Sequence, residues 1–158
     1  MHAIVVVTLL IFCTVSSVHP QVFSFSLPVG PGGGESFSLM GEGRITAVRV
    51  WERYNNNIVG LQIRYGPIWS PVVGSQSGVG KDLELFDGEA IIQISGKYTS
   101  SLQSVVFVTN RSRSLQAGQP RGISFNMYPT SQEAELRFIS GQVRNGFTSF
   151  GAHWGVVR

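Results

Sequence analysis

Cysteine is almost absent from this chain. Of 158 residues only Cys13 carries a thiol, and it lies within the first seventeen. No intrachain disulfide can form, and beyond residue 13 there is no thiolate for catalysis or metal ligation. Histidine is nearly as scarce: His2, His19 and His153 stand alone, with no pair at metal-ligand spacing. No Gly-x-Ser-x-Gly elbow accompanies His153, and none of the nine acidic residues stands out as a glycosidase pair, so an enzyme is the less favoured class. No segment holds an apolar period of 3.6 residues, which argues against long helices. Charged residues make up only 13% of the chain, while 42% is hydrophobic, a balance that argues against disorder.

The one nearly unbroken apolar run is Ala3–Phe12, too short to cross a bilayer. Small residues at Val15 and Ser17 suit cleavage after Ser17, so residues 1–17 read as a secretory signal peptide and not as an anchor, with secretion as the expected destination. The remainder is a single domain by length, without a membrane span. Twelve basic residues, ten of them Arg, face nine acidic ones for a net charge of +3. Apart from Arg111 and Arg113 the arginines are scattered, so the surface is mildly basic and nucleic acid is a poor partner. Gly74–Asp82 is superficially like a phosphate-binding loop, but its glycine spacing is wrong and Asp82 stands where Ser or Thr should bind magnesium; it reads as a linker.

What the chain has in plenty is β structure and glycine. Ala90–Asn110, AIIQISGKYTSSLQSVVFVTN, alternates apolar and polar residues on both sides of a polar, Gly-containing turn, the pattern of a hairpin. Arg44–Gly66 and Glu135–Val157 repeat the plan: strand, polar turn, strand. The tripeptide Ile94-Ser95-Gly96 recurs at Ile139-Ser140-Gly141. An offset near 45 residues marks a repeated supersecondary unit, and three units are fewer than a propeller uses, so the fold is all-β with three β-units around one core. Short strands are expected at Val22–Leu27, Ser36–Met40, Leu83–Phe86 and, twice, within Ser114–Tyr128. The segment Gly32-Gly33-Gly34 is either a plain surface turn or a bare backbone that a ligand can approach. Asn110-Arg111-Ser112 is an N-glycosylation sequon on a turn. A saccharide site would need backbone donors, an acceptor and an aromatic face. Gly32–Gly34, Lys97-Tyr98 and His153-Trp154 carry such groups, provided the fold gathers them.

Seven segments, in order, make the chain resemble the jacalin-related lectins, and within them the animal branch of the zymogen granule membrane protein 16 type. They are GPGGGESF (Gly30–Phe37), ITAVRV (Ile45–Val50), IVGLQIRYG (Ile58–Gly66), IQISGKY (Ile92–Tyr98), VVFVTN (Val105–Asn110), LRFISG (Leu136–Gly141) and GAHWG (Gly151–Gly155). The resemblance implies one lectin domain over residues 22–158. It implies a β-prism: three four-stranded antiparallel sheets about a pseudo-threefold axis. It further implies metal-independent and cofactor-free binding of glycans at one end of the prism, by a protein delivered through secretory granules. Its glycine loop falls on Gly32, Gly33 and Gly34, and its recognition loop on Lys97 through Leu102, with Tyr98 as the ring contact. Its Gly-x-x-x-Asp binding loop falls on Gly151, Ala152, His153, Trp154 and Gly155, with Gly155 where the family has Asp. A mannose-type site would be weakened accordingly, with Glu35 as the substitute carboxylate. Two further readings stay open: a binder of sulfated glycans or proteoglycans, and a prism without sugar binding that serves protein interaction or granule packaging.

Overall fold

Among the described residues, alternating apolar side chains pull thirteen strands around one core. The computed structural model describes residues 22–157; the expected signal peptide lies outside them. The strands are β1 (Phe23–Val29), β2 (Glu35–Leu39), β3 (Ile45–Glu52), β4 (Ile58–Tyr65), β5 (Ile68–Trp69), β6 (Val73–Gly74), β7 (Val79–Glu84), β8 (Ile91–Tyr98), β9 (Leu102–Thr109), β10 (Ser114–Gly118), β11 (Ile123–Met127), β12 (Ala134–Val143) and β13 (Phe147–Val156). Among the described residues no helix is long and apolar enough to cross a membrane.

Three antiparallel sheets result, ordered β1-β13-β12-β2, β10-β9-β8-β11 and β5-β4-β3-β7, with β6 also on β4. Each has a long central hairpin (β3–β4, β8–β9 or β12–β13) flanked by shorter strands. The first two strands of the chain complete the sheet whose hairpin comes last. The threefold repeat has a structural counterpart in its two matching glycines. A Cβ on Gly96 would strike the Ser104 carbonyl, and a Cβ on Gly141 the Ser149 carbonyl. Both glycines are therefore required by the same close approach across a central hairpin.

The inner faces of the three sheets share one core. Val48, Val50, Ile63, Ile94, Phe107, Ile139, Ala152 and Trp154 are fully or almost fully buried in it. In β8 the pairing shifts between Ile91 and Gln93, which lets Ile91 and Ile94 both face inward where strict alternation would have paired Ile92 with Ile94. The expected linker is also partly strand. β7 starts at Val79, and Lys81 and Asp82 pair across from Val50 and Arg49. The Lys81–Glu52 and Arg49–Asp82 ion pairs, at 2.9 and 2.7 Å, fasten this edge, a tie between sheet neighbours that local propensity does not carry.

Polar groups stitch the sheets where apolar packing ends. The Tyr65 hydroxyl lies 2.7 Å from the carbonyls of Leu39 and Arg137 and donates to one of them at a time; burial pushes this phenol up. Glu89 is sealed from water. It accepts from the Thr109 hydroxyl (2.5 Å), the Phe86 N–H (2.8 Å) and the Arg113 guanidinium (2.6 Å). Burial alone would raise its pKa, but these three donors hold the carboxyl below the ordinary value.

Strand directions sort the loops into two poles. Segments 30–34, 53–57, 75–78, 99–101, 119–122 and 144–146 gather at one pole, here called the rim. Segments 40–44, 66–67, 85–90, 110–113 and 128–133 gather at the other.

Candidate functional site

The turn Arg144-Asn145-Gly146 organises the rim. Val143 pairs with Phe147, so β12 and β13 are joined by these three residues. Asn145 and Gly146 take φ of 52° and 123°, a left-handed excursion that Asn and Gly accept more readily than other residues. Gly146 is where the three central hairpins meet. A Cβ there would lie 2.7 Å from the Asn57 amide nitrogen of the β3–β4 turn and 3.3 Å from Ser101 Cβ of the β8–β9 turn. Asn57 Nδ2 in turn reaches Ser101 Oγ at 3.4 Å.

On its other side the same turn carries the glycine loop. The Gly32 N–H donates to the Thr148 carbonyl (2.8 Å) and the Gly33 N–H to Gln142 Oε1 (2.7 Å). The Thr148 hydroxyl donates to the Gly33 carbonyl at 2.5 Å. Glycine is needed here for two different reasons. A Cβ on Gly34 (φ 114°) would run into the Val143 carbonyl, whereas one on Gly33 (φ 97°) would meet only the mobile end of Arg144, 2.6 Å away.

The expected site residues divide into two groups. Gly33 and Gly34 are at the rim, and so is Glu35, which opens β2 opposite Val143 and is exposed. Tyr98 ends β8 beside the 99–101 turn, but its ring packs at the border of the core, 6.4 Å from Phe125. Lys97 precedes it and faces outward, over a hollow of about 340 Å³ that includes Ser104, Ser124 and Asn126.

Ala152, His153, Trp154 and Gly155 are not brought to the rim, and the expectation that they form the binding loop is corrected. They lie within β13, five to seven residues beyond Thr148 for His153 to Gly155, which is roughly 17–23 Å of strand. Alternation also divides them. Ala152 and Trp154 point into the core, Trp154 being 1% exposed with its indole N–H on Ser26 Oγ (3.0 Å). His153 points outward and stacks between Phe25 (6.0 Å, 21°) and Phe138 (3.9 Å, 10°), with Nε2 2.8 Å from Ser140 Oγ. Burial lowers the His153 pKa. Gly155 floors the same outer face: a Cβ there would come 2.8 Å from Phe23 ring carbons and 3.1 Å from Arg137 Cγ.

Residues that sequence reasoning passed over supply the rest of the rim: Gln142, Arg144, Asn145, Thr148 and Arg53. The available signal was Asn145-Gly146, a turn dipeptide between the arms of the third hairpin. Arg53, Val143, Arg144, Asn145 and Gly146 border a cleft of about 390 Å³. Charge is distributed unevenly. Most cations elsewhere are matched with carboxylates, as in Arg44–Glu135, Arg49–Asp82, Arg64–Glu84 and Arg113–Glu89. Around the rim, Arg53, Lys97, Arg121 and Arg144 form no ion pair among the described residues, and neither does the one carboxylate there outside a pair, Glu35.

Comparison with known proteins gives a consistent result. The jacalin-like lectin domain matches residues 26–153. Zymogen granule membrane protein 16 of Homo sapiens is 43% identical over 145 residues, 89% of this chain and 86% of that protein. The crystal structure of a prostate-specific WGA16 glycoprotein lectin superposes with a TM-score of 0.75 at 33% identity, covering 85% of this chain and 100% of the other. Calystegia sepium agglutinin superposes with a TM-score of 0.73 at 18% identity over 86% and 98% of the two chains, a likeness in fold alone.

Proposed function

Because the chain belongs to the jacalin-like lectin family, we propose that it is a non-enzymatic carbohydrate-binding protein whose saccharide cup is the rim between Gly32–Gly34 and the Arg144–Gly146 turn. The observation that carries this reading is the lock between the two loops: three hydrogen bonds join Gly32 and Gly33 to Gln142 and Thr148. They hold the bare glycine backbone against the turn on a rigid scaffold, which is what a shallow sugar site needs. In this reading the family's binding loop corresponds to Arg144–Thr148, the turn together with the first two residues of β13. A hydroxyl, not a carboxylate, then stands where the family uses Asp. Charge-assisted hydrogen bonds contribute about 1.5–3 kcal/mol each, so mannose-type binding is weak and Glu35 is the remaining carboxylate at the cup. Binding proceeds without a metal ion. Secretion through granules is supported by the name of the human relative and by the apolar N-terminal run.

A second reading has its own support. Four cations at or beside the rim that form no ion pair among the described residues favour an acidic saccharide over a neutral one. A glycan array of the folded chain, with sulfated and neutral glycans at low and high salt, tests both. Neutral-sugar signals that survive salt, and fall in Glu35→Gln, support the cup as proposed. Signals confined to sulfated glycans, weakened by salt and by Arg144→Ala with Arg53→Ala, support the acidic ligand. Silence under every condition would refute both and leave a prism that acts through protein contacts.

A further inference from the structure

Gln142 occupies a place in the cup that the lock alone does not require. It lies one residue before the end of β12, between Ser36 and Ser149 in the pairing. Its Oε1 takes the Gly33 N–H at 2.7 Å and would stand only 2.9 Å from a Cβ on Gly32. The carboxamide therefore covers both glycines, the part of the loop that a ligand approaches. The other two locking bonds come from backbone and Thr148 and do not depend on Gln142. The Gln142 bond is neutral and its side chain is only partly buried, so it can swing aside without disturbing the core.

We propose that Gln142 is an internal competitor for the saccharide site: its amide oxygen holds the Gly33 N–H in place of a sugar oxygen, and a ligand binds by displacing it. This rests on the cup proposed above and adds its regulation. Gln142 then sets both affinity and selectivity, since an incoming oxygen must be a better acceptor than an amide oxygen, or bring further bonds, to win the N–H. A sugar that offers only one weak acceptor is screened out.

The test is a titration of the ¹⁵N-labelled folded chain with methyl α-mannoside and methyl β-galactoside, following backbone amides by NMR. In Gln142→Ala the Gly32–Gly34 amides should saturate at about two- to tenfold lower sugar than in the parent, the equivalent of one neutral hydrogen bond. The Gly33 amide proton should exchange faster in the absence of sugar. Gln142→Glu, whose carboxylate holds the N–H more strongly, should need more sugar than the parent. Equal affinity in all three proteins, weaker binding by Gln142→Ala, or unchanged Gly33 exchange would overturn the competitor while leaving the lectin reading in place. Absence of sugar-dependent shifts at the rim in every protein would instead overturn the cup, and the competitor with it.

Discussion

Replacing Glu89 by Gln should destabilise the prism without touching the rim. The carboxylate has 0% side-chain exposure and three donors converge on it: Thr109, Phe86 N–H and Arg113. An amide keeps one acceptor oxygen and turns an NH₂ toward at least one of those donors. Breaking a buried pair in this way costs about 3–5 kcal/mol. Arg113 is 34% exposed and keeps its bond to the Glu84 carbonyl, so the lower end, about 3 kcal/mol, is the expectation. For a domain of this size that is a fall in Tm of about 10 °C. The pH dependence gives a second check. Because the folded carboxyl titrates below the ordinary glutamate value, its stabilising effect is fully present above that ordinary value and is lost as pH falls through the lowered one. The gap between parent and variant, measured by urea denaturation at pH 7 and near pH 3, should therefore narrow on acidification. A Tm within about 2 °C of the parent at pH 7, or a gap that does not change with pH, would refute the reasoning.

Other outcomes follow from single contacts. Gly34→Ala should cost well over the ~1–2 kcal/mol of left-handed strain that Gly33→Ala pays, because only the former meets a backbone carbonyl; chemical denaturation of the two variants measures the difference. His153 has a lowered pKa, so it favours the fold when neutral, and stability should begin to fall as pH drops below about 6.5. His153→Phe keeps the stack with Phe25 and Phe138 and should remove that component of the thermal pH profile. Asn110 lies exposed at the pole opposite the rim, with Oδ1 engaged by the Ala90 N–H. A chain made through a secretory route should lose mass on N-glycanase treatment, Asn110→Gln should not, and rim binding should be the same in both.

Much of the architecture was legible in the residues themselves. Alternation of apolar side chains specified strands, the polar turns specified the three hairpins, and the recurrence of Ile-Ser-Gly located glycines that meet equivalent carbonyls. These are local properties, since side-chain period and turn chemistry act over a few residues. The cup was legible only in part. Gly33, Gly34 and Glu35 stood out because bare backbone and a lone carboxylate are visible in one dimension. His153 and Trp154 looked like partners because they adjoin in sequence, yet adjoining strand residues face opposite sides, and β13 carries them away from its turn. Only the folded chain could bring Gln142, Arg144 and Thr148 against a loop more than a hundred residues earlier, because the first strands complete the sheet of the last hairpin.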